Sequence, residues 1–348
     1  MRLALNLGYM VGGETPADQL RLTRRAEELG FDSVWAAEAY GADVVTLLSW
    51  LAAQTETIAV GSAVMQIPGR TPANTAMTAA GLQNLSGGRF RLGLGVSGPQ
   101  VSEGWHGVPF AKPLGRTREY VEIVRKALNR EVVEHDGEHF TLPLPGSEGK
   151  GLKLMVRPVA PVPFYLAAVG PKNLELAGEL FDGWLGLFYA PQFAPEQLAA
   201  IAAGRAKAGK DLEDFDVQAS FPLVVGPDAA ACADPVRPYA ALYVGGMGSR
   251  KNNFYNNLAV RMGYATAAAE VQDLYLGGRQ REAMAKVPTE FIDRTSLLGD
   301  RARLTDRLAE LADSGLTTCA ATPVGRSIDD KLAALETLAE AHRGLSRG

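Results

Sequence analysis

The sequence predicts an α/β protein that folds as a closed (β/α)8 (TIM) barrel with loop insertions. Short apolar segments with the alternation of β-strands recur along the chain, eight can be counted, and most are followed by a segment with helical periodicity. The length of 348 residues exceeds the ~150 of an average domain, but barrels of this kind reach roughly 400 residues as one unit. We therefore expect a single domain over residues 1–348.

The first half of the chain contains four strand–helix units. Leu3, Leu5 and Leu7 alternate with small or polar residues, which is the period of a strand. Thr15 followed by Pro16 is typical of a helix start, because the hydroxyl caps free N–H groups and proline fits the first helical position. The other predicted pairs are Phe31 to Ala37 with a helix from about Asp43, Ile58 to Gln66 with Pro72 to Leu85, and Arg89 to Val96 with Arg116 to Asn129.

The second half repeats this plan with two interruptions. Its predicted elements are Phe164 to Ala168 with Pro171 to Leu180, Gly183 to Tyr189 with Pro195 to Ala208, Asp216 to Val225, and Thr317 to Pro323 with Ile328 to His342. Two segments do not fit the unit and are interpreted as loop insertions. Residues of about 131–160 should contain a hairpin at Asp136-Gly137, and residues of about 227–299 should be helical and polar.

Composition excludes several classes of protein. The chain is 47% hydrophobic and 21% charged, with a net charge of −4, so neither a basic tract nor a nucleic-acid partner is expected. Its two cysteines are too few for a disulfide framework or a four-ligand zinc site, and we expect no metal. No apolar stretch reaches the roughly 20 residues of a membrane span, and Met1 to Gly13 lacks the features of a secretory signal. We expect a cytoplasmic protein.

In a parallel barrel the active site forms at the carboxyl ends of the strands. Apolar and aromatic residues at several of these ends predict a mainly hydrophobic pocket, although a barrel core would use the same residue types. The predicted ends carry Tyr9-Met10, Glu38-Ala39-Tyr40, Ala63-Val64-Met65-Gln66, Ser97-Gly98-Pro99-Gln100, Val169-Gly170-Pro171-Lys172, Phe188-Tyr189, Ser220-Phe221 and Ala321-Thr322.

Two glycine-containing segments stand out at these ends. Gly93 to Gly98 matches G-x-G-x-x-G, but a Rossmann turn opens a helix at once, and the prolines and glycines that follow disfavour one. We instead expect Gly93 and Gly95 to leave room for a large group on one face of the strand.

Val169-Gly170-Pro171 joins a strand to a helix, so its free N–H groups and positive helix end suit an anion. An ordinary Gly-Pro turn is the alternative.

Two segments of the chain carry a recognisable motif. The run from Leu82 to Phe90, LQNLSGGRF, passes into Leu92 to Gly98, and Ala26 to Trp35 reads AEELGFDSVW. Both resemble the bacterial luciferase-like superfamily. Further motifs lie at Gly95 to Gln100, Glu103 to Gly107, Gly170 to Asn173 and Gly245 to Gly248. These resemble the branch of actinobacterial oxidoreductases that use the deazaflavin coenzyme F420. Together they extend the resemblance over nearly the whole chain.

The resemblance implies a barrel whose cleft holds a flat tricyclic cofactor with a phosphate-bearing tail. It implies a cis peptide between Ala63 and Val64 that bulges against the back of the ring and leaves one ring face for substrate. It also implies that the tail phosphate lies at Val169, Gly170 and the helix that begins at Pro171. The expected cofactor-binding residues are Glu38, Ala63, Val64, Gly95, Ser97, Gln100, Ala168, Val169, Gly170, Pro171 and Lys172.

The chain departs from the superfamily after the second strand, where Glu38-Ala39-Tyr40 replaces a motif that contains histidine. The candidate catalytic residues are therefore Glu38, Tyr40 and His106. Glu38 would hydrogen-bond the imide edge of the ring or, with a raised pKa, pass a proton. The alternative for Glu38 is a solvated carboxylate. Tyr40 would otherwise be an aromatic side chain that lines the pocket, and His106 an ordinary packed histidine. The polar run from Arg250 to Asn253 is either a contact for the acidic tail or a solvated loop.

The leading functional hypothesis is a coenzyme F420-dependent oxidoreductase. It would transfer a hydride between the deazaflavin C5 and a small, mainly apolar organic substrate, the cofactor supplying the chemistry and the protein the position. The alternatives are an FMN-dependent luciferase-like monooxygenase and a non-catalytic flavin-binding relative. We expect a homodimer whose other partner is the small-molecule substrate, with no nucleic acid and no membrane.

Overall fold

The structure is a computed structural model that describes residues 1–9 and 14–345. Eight parallel strands form a closed barrel, because each pairs with the next, β4 with β5 included, and β8 pairs with β1. The predicted (β/α)8 barrel is thus confirmed. The strands are β1 (Arg2–Gly8), β2 (Ser33–Ala36), β3 (Ala59–Ser62), β4 (Phe90–Gly95), β5 (Phe164–Ala167), β6 (Gly183–Leu187), β7 (Asp216–Val225) and β8 (Thr318–Pro323).

Helices follow the strands, and their starts agree with the capping signals in the sequence. Thr15 forms a capping box with Asp18 at the first helix, Asp43 caps the second, and Thr71 caps the third. The outer helices are α1 (Pro16–Glu28), α2 (Val44–Ala53), α3 (Pro72–Leu85), α4 (Pro113–Leu128), α5 (Pro171–Leu180), α6 (Ala194–Lys207), α7 (Arg301–Asp313) and α8 (Ile328–Leu345). None of the helices in the described residues is long and apolar enough to cross a membrane.

The core has one layer inside the barrel and one between strands and helices. Trp35 and Tyr165 fill the inside with their ring centroids 5.0 Å apart, next to Ala4 and Ala320. The outer layer buries leucines, valines and phenylalanines of the strands against the apolar faces of the helices. The barrel is therefore a packed core that fixes the positions of the loops at its ends.

Two segments lie outside the strand–helix units of the barrel, and one of them differs from expectation. Residues 131–160 contain the antiparallel pairs Val132–Val133 with Leu152–Lys153 and His135–Asp136 with Thr141–Leu142, so the predicted hairpin is confirmed. Residues 227–299 are helical, yet the expectation that they are polar is wrong, since they enclose a buried apolar cluster that includes Tyr243, Val271 and Phe291. The apolar residues are spread over helices of three to twelve residues, too short for a clear amphipathic period.

The remaining short elements complete the chain. Within the second insertion these are Ala229–Cys232, Asp234–Val236, Arg237–Ala241, a π-helix at Leu242–Gly246, Phe254–Arg261, Ala265–Leu276, Gln280–Lys286, Thr289–Arg294 and the strand Leu297–Gly299, which pairs with β7. After β3 follow Met65–Gln66, which pairs with β4, and the 3₁₀ turn Ile67–Gly69; after β4 comes the helix Pro99–Gly104.

Candidate functional site

The carboxyl ends of the strands meet at one end of the barrel, which we call the mouth. It is formed by Tyr9 and by the segments that begin at Ala37, Ala63, Val96, Ala168 and Phe188. The peptide between Ala63 and Val64 is cis, which confirms the predicted bulge after β3. This bulge faces β4, where a Cβ atom at Gly95 would lie 2.6 Å from Val64 Cγ2. The large group that approaches this strand is thus the bulge.

Gly93, two residues earlier on β4, likewise leaves no room for a side chain. A Cβ atom there would collide with the carbonyl oxygen of Ser62. The Ser62 hydroxyl donates to the Gly93 carbonyl over 2.8 Å and accepts from the Gly93 N–H over 3.0 Å. The G-x-G-x-x-G segment is therefore part of a closed barrel, and after Gly98 comes only the six-residue helix Pro99–Gly104. The Rossmann alternative is excluded.

A buried glutamine connects the bulge to two neighbouring strand ends. Gln66 is 3% exposed, its Nε2 donates to the Ala39 carbonyl over 2.7 Å, and its Oε1 accepts from the Ser97 hydroxyl over 2.6 Å. Ser97 has a positive φ of 63°. The three segments that follow β2, β3 and β4 are consequently held as one unit. The sequence placed Gln66 at a strand end but gave no indication of this bridging role.

Glu38 is fixed inside this unit. Its carboxylate forms an ion pair with Arg70 and accepts backbone N–H groups from Gln66 over 3.1 Å and from Val44 over 3.3 Å. Burial alone would lower the pKa of Arg70, but the bond to Glu38 and its charge raise that pKa above the usual value. With the carboxylate so engaged, the geometry favours a role in positioning the bulge. A direct role of Glu38 toward a cofactor or substrate stays a prediction.

The structure places the other candidate catalytic residues around this unit. Tyr40 is 68% exposed. His106 is half-buried, and its ring packs against the turn at Gly69, where a Cβ atom would lie 3.3 Å from His106 Cε1. Its Nε2 is buried and has no partner among the described residues. Gln100 is exposed on the Pro99–Gly104 helix. Catalytic roles for Tyr40 and His106 and a binding role for Gln100 remain predictions.

The start of α5 has the geometry of an anion site. Gly170 is the N-cap with no side-chain cap, Pro171 is the first helical residue, and Lys172 is exposed beside it. A Cβ atom at Gly170 would meet nothing within 4 Å, so open space lies before the helix end. Ala168 anchors the loop, because its carbonyl accepts from Trp184 Nε1 over 2.9 Å. A phosphate group would meet free N–H groups here.

An arginine that the sequence did not reveal adjoins this loop. Arg261 Nη2 donates to the Val169 carbonyl over 3.1 Å, and the arginine side chain remains one-third exposed. By contrast, Arg250 pairs with Asp273 on the surface, and Asn253 caps the Phe254–Arg261 helix. Arg250 and Asn253, two residues of the polar run that could contact an acidic tail, thus bond to other residues of the second insertion.

The second insertion also contributes aromatic side chains that sequence reasoning missed. Tyr239, Tyr243 and Tyr255 surround Phe188, which directly follows β6. Burial raises the pKa of all three tyrosines above the usual value. The only available signal was the density of tyrosines in residues 239–275.

Three expectations concern other positions. Ser220 and Phe221 lie within β7, and Ala321 and Thr322 within β8, so these are not strand ends as expected. Met10 falls outside the described residues. In the part of the chain that the structure describes, no three His, Cys, Asp or Glu side chains are grouped so that they could hold a metal ion.

Comparisons with known proteins agree with this geometry. Residues 3–318 match the family model of luciferase-like monooxygenases. A Mycobacterium tuberculosis protein, Rv3520c, provisionally named a coenzyme F420-dependent oxidoreductase, is 42% identical over 330 residues, covering 92% of this chain and 95% of its own. The 5,10-methylenetetrahydromethanopterin reductase of Archaeoglobus fulgidus is 32% identical over 307 residues, covering 86% of this chain and 88% of its own.

A solved structure has the same fold. The coenzyme F420-dependent tetrahydromethanopterin reductase of Methanopyrus kandleri superposes with a TM-score of 0.80 at 24% identity, covering 98% of this chain and 97% of that one. At this level of identity, the likeness shows the shared barrel alone.

Proposed function

The chain belongs to the luciferase-like monooxygenase family, and we propose that within it the protein is a coenzyme F420-dependent oxidoreductase. It would transfer a hydride between the deazaflavin C5 and a small, mainly apolar organic substrate. Two relatives that cover most of the chain support this proposal, because one is named for F420 and the other is a reductase. Reduced F420 supplies the hydride when bound, and the protein's part is to bind, orient and exclude water.

The observation that carries the proposal is the bulge at Ala63–Val64. It stands at the mouth with Gly95 behind it, and Gln66 and Glu38 hold it in place. A flat ring needs a rigid surface behind it if one face alone is to meet the substrate. The backing by Gly95 and the hydrogen-bonded strand ends supports that function.

The start of α5 supports the placement of the cofactor's tail. An unfilled space before Gly170, a helix end with free N–H groups and the exposed Lys172 are suited to a phosphate. Arg261, whose Nε lies 3.9 Å from Glu196, places its guanidinium at the Val169 carbonyl. We therefore assign the tail phosphate to Val169, Gly170, Pro171 and Lys172, with Ala168 and Arg261 fixing the loop.

The test is to bind each cofactor separately to the purified protein. We expect F420 to bind with a dissociation constant in the micromolar range or below, followed by its fluorescence and by calorimetry, and FMN to bind at least tenfold more weakly. Tight FMN binding without F420 binding would reject the proposal and favour an FMN-dependent monooxygenase. Binding of either cofactor without turnover of any substrate would favour the non-catalytic relative.

We also propose that the protein is a cytoplasmic, single-domain homodimer. Large apolar side chains lie exposed on the first insertion and on the end of α3, among them Leu85 at 52%, Leu152 at 68% and Met155 at 91%. Exposed apolar groups on this scale commonly mark contact surfaces. Both cysteines are free and buried, which suits a reducing compartment. Light scattering should give a mass near twice the 37.0 kDa of one chain.

A further inference from the structure

A small cavity lies beside the mouth, under the loop that follows the Pro99–Gly104 helix. Its walls come from the segments after β3 and β4, from this loop and from α4, and they include Ile67, Val96, Pro109, Phe110 and Arg116. The empty space, which opens to solvent, amounts to about 240 Å³. Ile67 directly follows Gln66, and Val96 directly follows Gly95. The cavity therefore adjoins the segments that carry the bulge and its support.

The loop over the cavity is braced by hydrogen bonds. The Val108 N–H donates to the Ser102 carbonyl over 2.8 Å, and the Ser102 hydroxyl donates to the Val108 carbonyl over 2.7 Å. The Phe110 N–H donates to the Glu103 carboxylate over 2.9 Å. The Phe110 ring also packs against Phe254 of the second insertion, with centroids 6.4 Å apart. The walls are thus largely fixed before a ligand arrives, which lowers the cost of binding.

Arg116 brings an uncompensated positive charge to these walls. It is partly buried near the start of α4, where the positive end of the helix does not neutralise a cation. Its Nε is buried without a hydrogen-bond partner, and within the described parts of the chain its guanidinium forms no hydrogen bond or ion pair. A buried donor without an acceptor costs free energy, which a ligand that supplies the acceptor would recover.

The neighbouring cations are paired, in contrast to Arg116. Arg118, two residues later, donates to both carboxylate oxygens of Glu179 over 2.7 and 2.6 Å. Lys112, the N-cap of α4, forms an ion pair with Glu138. The guanidinium of Arg116 is therefore the one that a bound anion would complete.

The other side chains of the walls define the body of such a ligand. The Ser102 hydroxyl is used within the loop, and the Thr117 hydroxyl donates to the Pro113 carbonyl over 2.8 Å. Apart from these two and Arg116, the side chains that line the cavity are apolar. A guanidinium can meet a carboxylate with two parallel hydrogen bonds. The cavity thus combines a free fork of donors with apolar walls.

We propose that Arg116 binds the carboxylate of a small organic acid whose apolar part lies against Ile67, Val96 and Phe110. The inference goes beyond the proposed function, because none of the residues expected to bind the cofactor lines the described cavity. The site is therefore independent of which coenzyme the mouth holds.

The test compares two probes of the same shape that differ in charge, isobutyrate and isobutyramide. We expect the wild-type protein, without F420, to bind isobutyrate about tenfold more tightly, measured as a ratio of dissociation constants by calorimetry. In Arg116→Met, which keeps an apolar stem but loses the guanidinium, the ratio should fall to about one. The ratio is taken within one protein, so a change in packing that affects both probes cancels. Arg116→Gln serves if Arg116→Met does not fold.

Lys126→Met is the matched control. It removes one positive charge from the same helix, at a side chain that does not line the cavity and donates to the Glu134 carbonyl over 3.1 Å. We expect the ratio in this control to equal that of wild type. The inference is wrong if wild type shows no preference for isobutyrate, if the folded Arg116 variant keeps that preference, or if the control loses it as well.

F420 affinity is measured in the same proteins to separate the two proposals, and Arg116→Met should leave it unchanged. If F420 does not bind but the ratio falls in Arg116→Met, the proposed function is wrong and the carboxylate site stands. If F420 binds and the ratio does not fall, the carboxylate site is wrong and the proposed function stands. A loss of F420 affinity in Arg116→Met, with no preference for isobutyrate in wild type, would overturn the inference and assign Arg116 to the coenzyme.

Discussion

Arg89, the arginine of the Ser-Gly-Gly-Arg run, illustrates at the scale of one residue what a sequence motif can be for. Its guanidinium donates to the carbonyls of Ala52 over 2.9 Å, Thr55 over 3.0 Å and Ile58 over 2.6 Å. Its Nε donates to the Ser86 carbonyl over 2.8 Å. The side chain thus ties the loop before β3 to the loop before β4. The motif therefore acts at the end of the barrel opposite the mouth, and its role there is structural.

Substitution of this arginine should affect stability more than binding. We expect Arg89→Met to lower the free energy of unfolding by about 2–4 kcal/mol, because charge-assisted hydrogen bonds to several carbonyls are lost. The measurement is urea unfolding, with F420 affinity determined on the folded variant. Arg301→Met is the control, since that side chain is 68% exposed. A loss below about 0.5 kcal/mol in Arg89→Met would show that water replaces these bonds.

Gly170 offers a sharp test of the phosphate site. Its φ of −83° is allowed for any residue, and a Cβ atom there meets nothing within 4 Å, so valine should fit the fold. The added methyl groups would occupy the space assigned to the phosphate. We expect Gly170→Val to weaken F420 binding at least tenfold, with unfolding unchanged. Gly81→Val places the same side chain at an open position on α3 and should not alter affinity. Equal affinities in both variants would remove the site.

At the scale of elements, β3 and β4 form a bulge and its support. The two glycines of β4 differ in what a methyl group would meet. At Gly93 it would strike backbone at Ser62, whereas at Gly95 it would lie 2.6 Å from the Val64 side chain. Backbone cannot move aside as a side chain can, so the two positions should respond differently to alanine.

We accordingly expect Gly93→Ala to destabilise the fold by at least about 2 kcal/mol and Gly95→Ala by less. Gly95→Ala should leave a folded protein whose displaced Val64 weakens F420 binding about tenfold. Thermal unfolding and fluorescence titration measure the two effects. Wild-type F420 affinity in Gly95→Ala would mean that the bulge does not support the ring.

Helix starts marked by capping residues were predictable from the sequence, whereas the buried core of the second insertion was not. Thr15 with Pro16 predicted the start of α1, and α3 begins at the predicted Pro72, since the signals at helix starts depend on neighbouring residues alone. The start of α4 at Pro113 lies three residues before the predicted Arg116. The second insertion was misjudged as polar, because its core joins short helices through contacts that no local pattern contains.

At the scale of the whole molecule, the position of the candidate site was predictable from the sequence, but its side-chain contacts were not. The barrel topology predicted from the sequence puts Ala63, Val64 and Gly170 at one end of the barrel, because parallel strands end together. The ion pair of Glu38 with Arg70 and the hydrogen bond from Ser97 to Gln66 depend on long-range packing. Sequence therefore indicated where the candidate site lies, whereas the partners of each side chain required the structure.

The opposite end of the barrel is closed by ion pairs. Asp32, which precedes β2, bonds to Arg91 of β4 over 2.5 Å, and Arg2 of β1 pairs with Asp216 of β7 over 2.8 Å. Asp216 also accepts from Tyr165 of β5 over 3.0 Å. Side chains from β1, β4, β5 and β7, together with Asp32 just before β2, thus join across this end. A mouth built from loops is compatible with a stable barrel because the other end is cross-linked.

This closed end predicts how stability depends on pH. Burial alone would raise the pKa of Asp32, but hydrogen bonding to Arg91 and the charges of Arg91 and Arg2 lower it below 3.8. A carboxyl whose pKa is depressed by folding contributes stability above its unfolded pKa, and that contribution is lost as pH falls through the folded pKa. Asp32→Asn removes the titrating group and leaves Arg91 without its partner.

We expect Asp32→Asn to lower the free energy of unfolding by about 2–4 kcal/mol near pH 7, where the ion pair is fully formed. The difference from wild type should shrink as pH falls below about 4, because wild type then loses the same interaction. Urea unfolding at both pH values measures this. Asp329→Asn is the control, because its pair with Arg21 is exposed on both sides and should contribute little at either pH. A difference between Asp32→Asn and wild type that stays constant from neutral to acid pH would show that the closed end is not stabilised by the Asp32 charge.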